Sequence, residues 1–471
     1  MSLEAEPISN GQVLIIGAGP TGLTAGWRLA ERGHEVTVVD RAPVVGGMSA
    51  SFEIEGQRVD FGSHRLHGRA DDETLKELQE LMGVDLQARQ RNGRIRLSGK
   101  WVGFPLRAGD LAASLPKKFA LGAAFDSLTS PLRKPKGTDF GSVVRAGLGS
   151  TVFDAFYKPY AKKLWGIDAS EIDGAMAERR VSAGGPIDIF RRLVAARNEE
   201  GRTFYYPANG YGQIPESLAR AFAEAGGTLL LKTSLNDVSL GGGAATAALS
   251  GPDGDVTMSP KVVISTVPVA QLVGMSSLQA PVEVIGAADA LESRGMIFVY
   301  LVVPRSQYTP FDAHYFPGLD TVIARLSEPK NYRTGVDPSD QTILCAEIAC
   351  TVGDELWSMG EAELGELVAA QLVTQDLPKL GEFRAHVRRL RSVYPVYRRG
   401  YRQYLDLIEQ WASQHDQLLT VGRQGLFVPD NLHHTMAMGR AVAEVVGPDG
   451  SIDQDRWSAK RQAFRTHVVE D

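Results

Sequence analysis

The sequence contains very little cysteine. Only two of its 471 residues are cysteines, Cys345 and Cys350, and both lie in the apolar run TILCAEIAC. If this run is a strand, the odd spacing places the two thiols on opposite faces, so they cannot form a disulfide with each other. Two thiols in so long a chain are typical of a reducing compartment, and we therefore expect a cytoplasmic protein.

Long apolar runs and an excess of basic residues are also absent. The sequence has no stretch of about 20 apolar residues, which a membrane-spanning helix would need. The polar segment Met1–Asn10 lacks the apolar core of a signal peptide, and we expect it to be a disordered leader. A net charge of −6 argues against general nucleic-acid binding, which usually needs a basic surface. A chain of this length exceeds one simple core, so we expect two intertwined domains.

The first part of the chain, Val13–Asp40, joins two apolar runs through a glycine-rich turn and a helix-like run. Gly17 permits a tight turn, Gly19 lets a pyrophosphate approach the backbone, and Gly22 lets the helix pack close to the strand. The helix N-terminus presents unpaired N–H groups and a positive dipole end to phosphate. Asp40 follows about 20 residues later, where an acid binds a ribose hydroxyl. The segment therefore predicts a dinucleotide site.

The residues after Asp40 narrow the choice of dinucleotide. They read RAPVVGGMS, which resembles the extended signature of the FAD-dependent amine oxidase, protoporphyrinogen oxidase and phytoene desaturase superfamily. In that superfamily the acid holds the adenosine ribose, and the Gly-Gly segment passes beside the pyrophosphate and the flavin. An acid at the strand end also disfavours NADP. The resemblance implies FAD as the cofactor, with these residues beside it: Gly17, Gly19, Pro20, Thr21, Gly22, Asp40, Arg41, Gly46, Gly47 and Met48.

A second segment with the same resemblance reads VDFGSHRLH and includes Gly62, Ser63, His64, Arg65 and His67. UDP-galactopyranose mutase carries Gly-x-His-x-x-His here, and a branch of protoporphyrinogen-oxidase-like oxidoreductases carries Gly-His-Arg. The resemblance implies that the first three residues lie near the isoalloxazine. A neutral imidazole there can hydrogen-bond the flavin or act as an acid or base near pH 7. The alternative is a histidine that only closes a turn. We take Arg65 as a further catalytic candidate and His67 as a substrate contact.

The C-terminal segment GRQGLFVPDNLHHTMAMG resembles the part of the superfamily that approaches the pyrophosphate and the pyrimidine edge of the flavin. The resemblance implies that the Gly422–Arg423 turn contacts the pyrophosphate. A helix beginning near His434 would place Leu432 and Thr435 close to the ring, and its N–H groups can stabilise negative charge there. The family pattern has an acid where this chain has His433. Adjacent histidines without a third and fourth ligand at metal spacing predict no metal site.

Two segments supply candidates for the substrate side. The run YKPYAKKLWG resembles an aromatic-rich helix that borders the substrate cavity in both relatives, so Tyr160 and Trp165 are candidate substrate contacts, with core packing as the alternative. In the run RLSEPKN, Arg325 is suited to binding an anion bidentately. Lys330 resembles the lysine of amine oxidases, which acts through a water. The alternative for both residues is a surface loop of paired charges.

The fold class that these patterns predict is α/β. We expect a Rossmann-type, glutathione-reductase-like FAD-binding domain built from the discontinuous segments 12–106, 211–270 and 415–471. An α+β substrate domain, with a mixed or antiparallel sheet and a helical cap, is expected from residues 107–210 and 271–414. The strand-like runs Ile297–Val303 and Thr342–Val352 belong to that second sheet. The basic segment 107–137 is interpreted as helices over the substrate domain, with weak contact to a membrane surface as the alternative.

The resemblance implies a flavin-dependent oxidoreductase. A C–H bond next to a heteroatom or an alkene, in an amine, a sugar or a prenyl-like substrate, would give a hydride to flavin N5, and O2 or another acceptor would reoxidise the flavin. The alternative is a non-redox nucleotide-sugar mutase that uses reduced flavin N5 as a nucleophile. That mutase needs an arginine and tyrosine cluster around a diphosphate, which the residues Arg179 and Arg180 do not match one by one. A flavin-bearing protein without catalysis is a third hypothesis.

Overall fold

The computed structural model describes residues 13–68, 70–104, 115–129, 132–180, 203–241, 245–335 and 337–469. The predicted disordered leader lies outside these described residues. So do residues 181–202, which include the end of the helical run predicted at residues 141–197, and parts of the basic segment, at 105–114 and 130–131.

The described strands are short in the first part of the chain and longest in the second half. In chain order they are β1 (Val13–Ile16), β2 (Val36–Val39), β3 (Ser51–Ile54), β4 (Gln57–Asp60), β5 (Leu66–His67), β6 (Leu86–Gln90), β7 (Gly93–Leu97), β8 (Lys100–Phe104), β9 (Thr203–Pro207), β10 (Thr228–Leu230), β11 (Ser234–Ser239), β12 (Thr246–Gly251), β13 (Gly254–Met258), β14 (Val262–Ser265), β15 (Ser293–Val303), β16 (Ala313–Tyr315), β17 (Arg325–Ser327), β18 (Thr342–Cys350), β19 (Arg384–Pro395) and β20 (Leu418–Thr420).

The described helices vary from one turn to four turns. They are α1 (Pro20–Glu31), α2 (Asp72–Met82), α3 (Lys117–Thr129), α4 (Phe140–Leu148), α5 (Ser150–Val152), α6 (Lys158–Trp165), α7 (Ala175–Arg180), α8 (Gln213–Glu224), α9 (Val269–Val273), α10 (Val282–Asp289), α11 (Glu355–Ser358), α12 (Glu361–Thr374), α13 (Tyr401–Ala412), α14 (Gly422–Gly425), α15 (Leu432–Val445) and α16 (Gln454–Phe464). A π-helical stretch, Phe153–Tyr157, joins α5 to α6. None of the helices within the described residues has both the length and the apolar character that crossing a bilayer requires.

The first sheet is parallel and has the strand order β10-β2-β1-β14-β20. Strands β1, β2 and β14 are buried along their whole length, as expected of a parallel sheet that is covered on both faces. Helix α1 lies against this sheet and packs on α8 and α15. The strands come from four separated parts of the chain, and the segments between them form the other sheets and helices.

The second sheet has the order β19-β15-β18-β17-β16-β7-β8 and is antiparallel except for the parallel pair β16 and β7. Both predicted strands are confirmed, as β15 and β18. Cys345 and Cys350 are free, buried thiols that pack in different core clusters, as the strand alternation predicted. The predicted mixed α/β fold with several sheets is therefore confirmed, whereas the domain boundaries stay a prediction.

One predicted assignment differs from the structure. Strands β7 and β8 fall within residues 12–106, which were predicted for the first domain, but β7 pairs with β16 in the second sheet. The partner residues Ala313–Tyr315 lie far along the chain, and the GRIRL pattern of β7 does not indicate which sheet it joins. The first segment of the chain thus contributes strands to both sheets.

The helical layer beside the second sheet is fastened by a buried lysine. The predicted helical run at residues 141–197 is interrupted at two glycines with positive φ, Gly149 and Gly166. Between them the chain is helical through α5, the π-helical stretch and α6. From α6, the ammonium group of Lys163 donates to the carbonyl oxygens of Phe316 (2.5 Å) and Ile323 (2.8 Å). Desolvation lowers the pKa of Lys163 to about 7.

We predict that Lys163→Met removes part of the pH dependence of stability. The unfolded chain has a lysine pKa near 10.5, so between pH 7 and 10 it binds a proton that the native state has released. Wild-type stability therefore rises with pH across this window, by up to about 3 kcal/mol from this residue. Urea unfolding at pH 7 and pH 10 should show this rise reduced in the variant. Lys162→Met, which changes the exposed neighbour, is the control and should keep the wild-type slope; equal slopes in all three proteins would contradict the prediction.

Candidate functional site

The turn after β1 has the close contacts that its glycines require. Gly17 has a φ of +108°, and a Cβ there would lie 2.0 Å from the hydroxyl oxygen of Thr266. A Cβ on Gly22 would lie 2.0 Å from the carbonyl oxygen of Gly17. These two glycines are therefore needed for the protein's own packing, whatever binds beside them.

Gly19 differs from its two neighbours in the turn. No protein atom lies within 4 Å of the position that a Cβ would take, so this side of the turn faces open space at the N-terminus of α1. Gly47 borders the same space, with its own Cβ position 3.9 Å from the Cα of Gly19. The amide of Gly46 donates to the carbonyl of Ala18 at 2.8 Å and ties the two loops together. This open cradle, lined by backbone at a helix N-terminus, fits a pyrophosphate.

Asp40, the predicted ribose-binding acid, is bonded to the glycine-rich turn. Its carboxylate accepts the amide of Ala18 on one oxygen and the amide of Ala42 on the other, both at 2.8 Å. Each carboxylate oxygen has a further lone pair, so the group can also accept a ribose hydroxyl. The neighbouring side chain of Arg41 is exposed.

The C-terminal turn lies directly over the start of α1. Gly422 has a φ of +83°, and its Cβ position is 3.0 Å from the hydroxyl of Thr21. Arg423 donates to the carbonyl oxygen of Val393 at 3.1 Å, while its Nε is buried and has no hydrogen-bond partner within the described structure. The amide nitrogen of the Gln424 side chain lies 3.8 Å from the sulfur of Met48. The predicted cofactor residues of three distant segments thus meet at one place.

Helix α15 begins at Leu432, two residues before the predicted start. The imidazole Nδ1 of His434 accepts the amide of Asn431 at 3.2 Å and so caps its own helix. The hydroxyl of Thr435 donates to the carbonyl of Leu432 at 2.6 Å. The side chains of His434 and Thr435 are therefore turned to the helix terminus, which leaves backbone N–H groups of the first turn as the feature that fits a flavin edge.

Three potential metal ligands meet beside this helix, and one of them, His467, was not considered in the sequence-based expectation of no metal site. Asp430, His434 and His467 hold ligand atoms within 4.8 Å of one another. His467 lies 33 residues after the adjacent histidines, so its proximity depends on how α16 packs. The rings of His434 and His467 stack at 4.3 Å with an angle of 16°, and such parallel rings cannot direct in-plane lone pairs at one ion. We therefore interpret the 2.7 Å contact between Asp430 and His467 as an anchor for the C-terminal segment.

A buried carboxylate positions the segment around His64. Glu347, on β18, accepts the amide of Ser63 at 2.7 Å and the guanidinium of Arg325 bidentately, at 2.8 Å for each bond. Gly62 has a φ of +94°, and a Cβ there would lie 3.0 Å from the same carboxylate. We call Ser63, His64, Arg325 and Glu347 the histidine cluster.

His64 is held as a neutral imidazole within this cluster. Its Nε2 donates to the carbonyl oxygen of Phe61 at 2.8 Å, which assigns the proton to Nε2 and leaves Nδ1 as an acceptor. Its ring stacks on Tyr211 at 5.1 Å. Burial lowers the pKa of His64, and the positive charge of Arg325 adds to this effect.

The other predicted residues near His64 are bound into the protein interior. Arg65 lies 3.0 Å from the carboxylate of Asp312, and its guanidinium is within about 5 Å of the rings of Phe204 and Tyr332. His67 lies on β5 and pairs with Phe204 on β9. The functional roles of Arg65 and His67 remain predictions. The ion pair with Asp312 gives Arg65 a structural role.

The hydrogen bonds of Lys330 go to residues outside the histidine cluster. Its ammonium group donates to the carbonyl oxygens of Pro338 and Gln341, the latter at 3.0 Å. Arg325, only five residues earlier, does join the cluster through Glu347. The two predicted catalytic cations, Arg325 and Lys330, therefore have different partners and do not act on one group.

A second group of side chains lies near the C-terminal turn. The guanidinium of Arg180 is 5.4 Å from the ring of Trp165 and 5.9 Å from the ring of Tyr394, and the guanidinium of Arg423 is 5.5 Å from Tyr394. We call these four residues the arginine–aromatic cluster. Tyr394 also acts electrostatically on Arg325, so the two clusters are neighbours. Predicted Tyr160 stacks on Phe156 at 5.5 Å, and Trp165 is almost fully buried in the core.

Sequence reasoning missed Glu347, Tyr211 and Tyr394. Glu347 had a usable signal, because it is a lone acid inside the apolar run TILCAEIAC, and such a charge must find a partner when it is buried. The two tyrosines had none, since their positions depend on contacts between distant segments.

Comparison with known proteins identifies the family of this chain. The family model for flavin containing amine oxidoreductases matches residues 20–442. A probable UDP-galactopyranose mutase of Klebsiella pneumoniae is 23% identical over 226 residues, which cover 45% of this chain and 54% of that protein. The chain thus spans about half the length of this curated relative.

Solved structures give the same fold. A reduced UDP-galactopyranose mutase superposes with a TM-score of 0.76 at 20% identity, covering 93% of each chain. A protein from Exiguobacterium sp. 255-15 assigned as a protoporphyrinogen oxidase gives 0.71 at 18% identity, covering 93% of this chain and 98% of that one. With a family match over most of its length and a turn that fits FAD, this chain belongs to the flavin containing amine oxidoreductase family.

Proposed function

We propose that this protein removes a hydride from a C–H bond next to a heteroatom or an alkene in a small organic substrate, with O2 or another acceptor completing the cycle. Bound FAD supplies the hydride acceptor. The observation that carries the proposal is His64, a half-buried neutral imidazole held by Phe61 and Tyr211 beside the Arg325–Glu347 pair. Such a group can move a proton near neutral pH.

The residues that would hold FAD are those of the cradle. Gly19 and Gly47 leave room for the pyrophosphate, and Asp40 keeps acceptor capacity for the ribose. The unpartnered Nε of Arg423 is a further donor at the same edge. Helix α15 offers the N–H groups of its first turn from Leu432 onward.

The roles of the histidine cluster follow from its hydrogen bonds. Nδ1 of His64 is available to accept a proton from the heteroatom of the substrate, because Nε2 is committed to Phe61. Glu347 and Arg325 fix the backbone that carries the imidazole, through the amide of Ser63. They are positioning residues in this proposal, and the imidazole is the proton-transfer group.

A nucleotide-sugar mutase is the second candidate, and the arginine–aromatic cluster favours it. Two guanidinium groups, Arg180 and Arg423, flank the ring of Tyr394 beside Trp165. Guanidinium groups bind phosphate bidentately, and aromatic faces suit a sugar ring. The same positive charge disfavours a cationic amine as the substrate.

An anaerobic titration distinguishes the two candidates. The purified protein is mixed with amines, sugars, nucleotide sugars and polyprenols while the oxidised-flavin absorbance is followed. Loss of this band with one class of compound supports the oxidoreductase and names its substrate. If no compound bleaches the flavin, but dithionite-reduced protein isomerises a nucleotide sugar, the proposal gives way to the mutase.

We predict that Gly19→Val abolishes FAD binding without unfolding the protein. Gly19 has a φ of −77°, which other residues adopt readily, and a Cβ there has no protein atom within 4 Å, so the valine side chain would occupy the pyrophosphate cradle. Gly22→Val is the contrasting variant, because its side chain would meet the carbonyl of Gly17 and should prevent correct folding. Circular dichroism and flavin absorbance of the purified proteins test both; a yellow, folded Gly19→Val protein would refute the cradle assignment.

We predict that His64→Ala keeps FAD but slows flavin reduction by about 10²–10⁴-fold, the usual contribution of a general acid or base. Because burial lowers the pKa of His64, the wild-type acid limb should lie below pH 6.5 and disappear in the variant. His415→Ala is the matched control, since burial also lowers the pKa of that histidine beside Trp411, and it should keep wild-type kinetics. Unchanged single-turnover rates in His64→Ala would reduce His64 to a structural role.

A further inference from the structure

Helix α3 has one face that is firmly attached to the protein. Phe119 packs in a small core cluster with Leu115 and Phe156. A Cβ on Gly122 would lie 2.6 Å from the hydroxyl of Thr151, which shows how closely α3 approaches α5. The buried carboxylate of Asp126 accepts the amide of Thr151 at 2.8 Å. These contacts fix the orientation of the helix.

The opposite face of α3 is apolar and exposed. Leu121, Phe125 and Leu128 have 72%, 67% and 81% of their surface exposed, and Leu132 just beyond the helix has 85%. The spacing of four and three residues places Leu121, Phe125 and Leu128 in one stripe along the helix. A helix that is apolar on both faces is usually buried on both, in a core or in lipid. Isolated apolar side chains on a surface are common, but a continuous stripe of this kind marks an interaction site.

The charges around this stripe are basic. Lys117 and Lys118 are exposed at one end, and Lys134 and Lys136 are exposed at the other. Within residues 115–129 and 132–137, the described acid is Asp126, which is buried and paired with Arg133. The whole chain has a net charge of −6, so this local excess of positive charge is opposite in sign to the charge of the whole protein.

We propose that the exposed face of α3 docks on a membrane that carries anionic lipid, with Leu121, Phe125, Leu128 and Leu132 in the boundary between headgroups and acyl chains. The helix has 13 residues and a length of about 20 Å, which is too short to cross a bilayer core of about 30 Å. It therefore lies along the surface, where apolar area and basic charge both contribute to binding. This inference does not depend on the reaction that the protein catalyses.

Charge also argues against a second copy of the chain as the occupant. A symmetric dimer through this face would bring the same surface of both copies together. The exposed lysines at both ends of the stripe would then meet like charges, which anionic lipid headgroups would instead neutralise.

Cosedimentation of the full-length holoprotein with unilamellar vesicles tests the proposal. We expect binding to phosphatidylcholine vesicles that contain phosphatidylglycerol, weaker binding to phosphatidylcholine alone, and weaker binding at high salt. The triple variant L121S/F125S/L128S should lower the partition coefficient about tenfold or more, from the lost apolar burial. The matched control V84S/V282S/L319S changes three other exposed apolar residues and should bind like the wild type.

A charge variant tests the second part of the surface. Lys117→Glu with Lys118→Glu should lower binding to the anionic vesicles severalfold, while Lys100→Glu with Lys379→Glu, exposed lysines elsewhere, should have little effect. Flavin absorbance and thermal unfolding verify that each variant is folded. Equal binding by wild type and the L121S/F125S/L128S variant overturns the proposal. So does a wild type that ignores vesicles but forms a dimer, by light scattering, that this variant loses.

Discussion

The buried carboxylate of Glu347 is the interaction on which the candidate site depends. It lies in the middle of the second sheet, almost fully excluded from solvent. A buried charge costs several kcal/mol unless partners surround it, and here the amide of Ser63 and the guanidinium of Arg325 do so. The chain after β4 must therefore pass close to β18, and Gly62 makes that approach possible because a side chain would collide with the carboxylate. The position of His64 follows from this requirement.

A second buried carboxylate holds the other end of the same short segment. Asp60 accepts the hydroxyl of Ser51 at 2.5 Å and the amide of Tyr211 at 3.0 Å, and its own carbonyl accepts the hydroxyl of Tyr300 at 2.6 Å. These bonds join the β3–β4 hairpin to the start of α8 and to β15. The backbone between the two carboxylates is thus fixed from both sides, and a site built on such a backbone keeps its geometry without help from a ligand.

The sequence was sufficient where the constraint is local. Gly17 and Gly22 were identified from spacing alone, because the φ of +108° at Gly17 and the contact of Gly22 with the carbonyl of Gly17 both lie within the turn itself. The apolar runs that became β15 and β18 were equally readable. Three other features could not be predicted from the sequence, because each depends on segments that meet only after the chain has folded. They are the sheet to which β7 belongs, the approach of His467 to Asp430, and the partners of Glu347. Residues with local geometric reasons could be predicted, and residues with long-range partners could not.

The cation beside His64 is Arg325 and not Lys330, and this choice affects which group can transfer a proton. A buried lysine can lose its proton near neutral pH, whereas arginine stays charged in proteins. Lys330 is occupied by the carbonyls of Pro338 and Gln341, and the cation beside His64 is Arg325, bound to Glu347. The guanidinium of Arg325 can orient and polarise, but it stays charged and does not exchange protons with a substrate. In the proposed reaction, proton transfer is therefore assigned to His64, because an imidazole can change its charge near neutral pH.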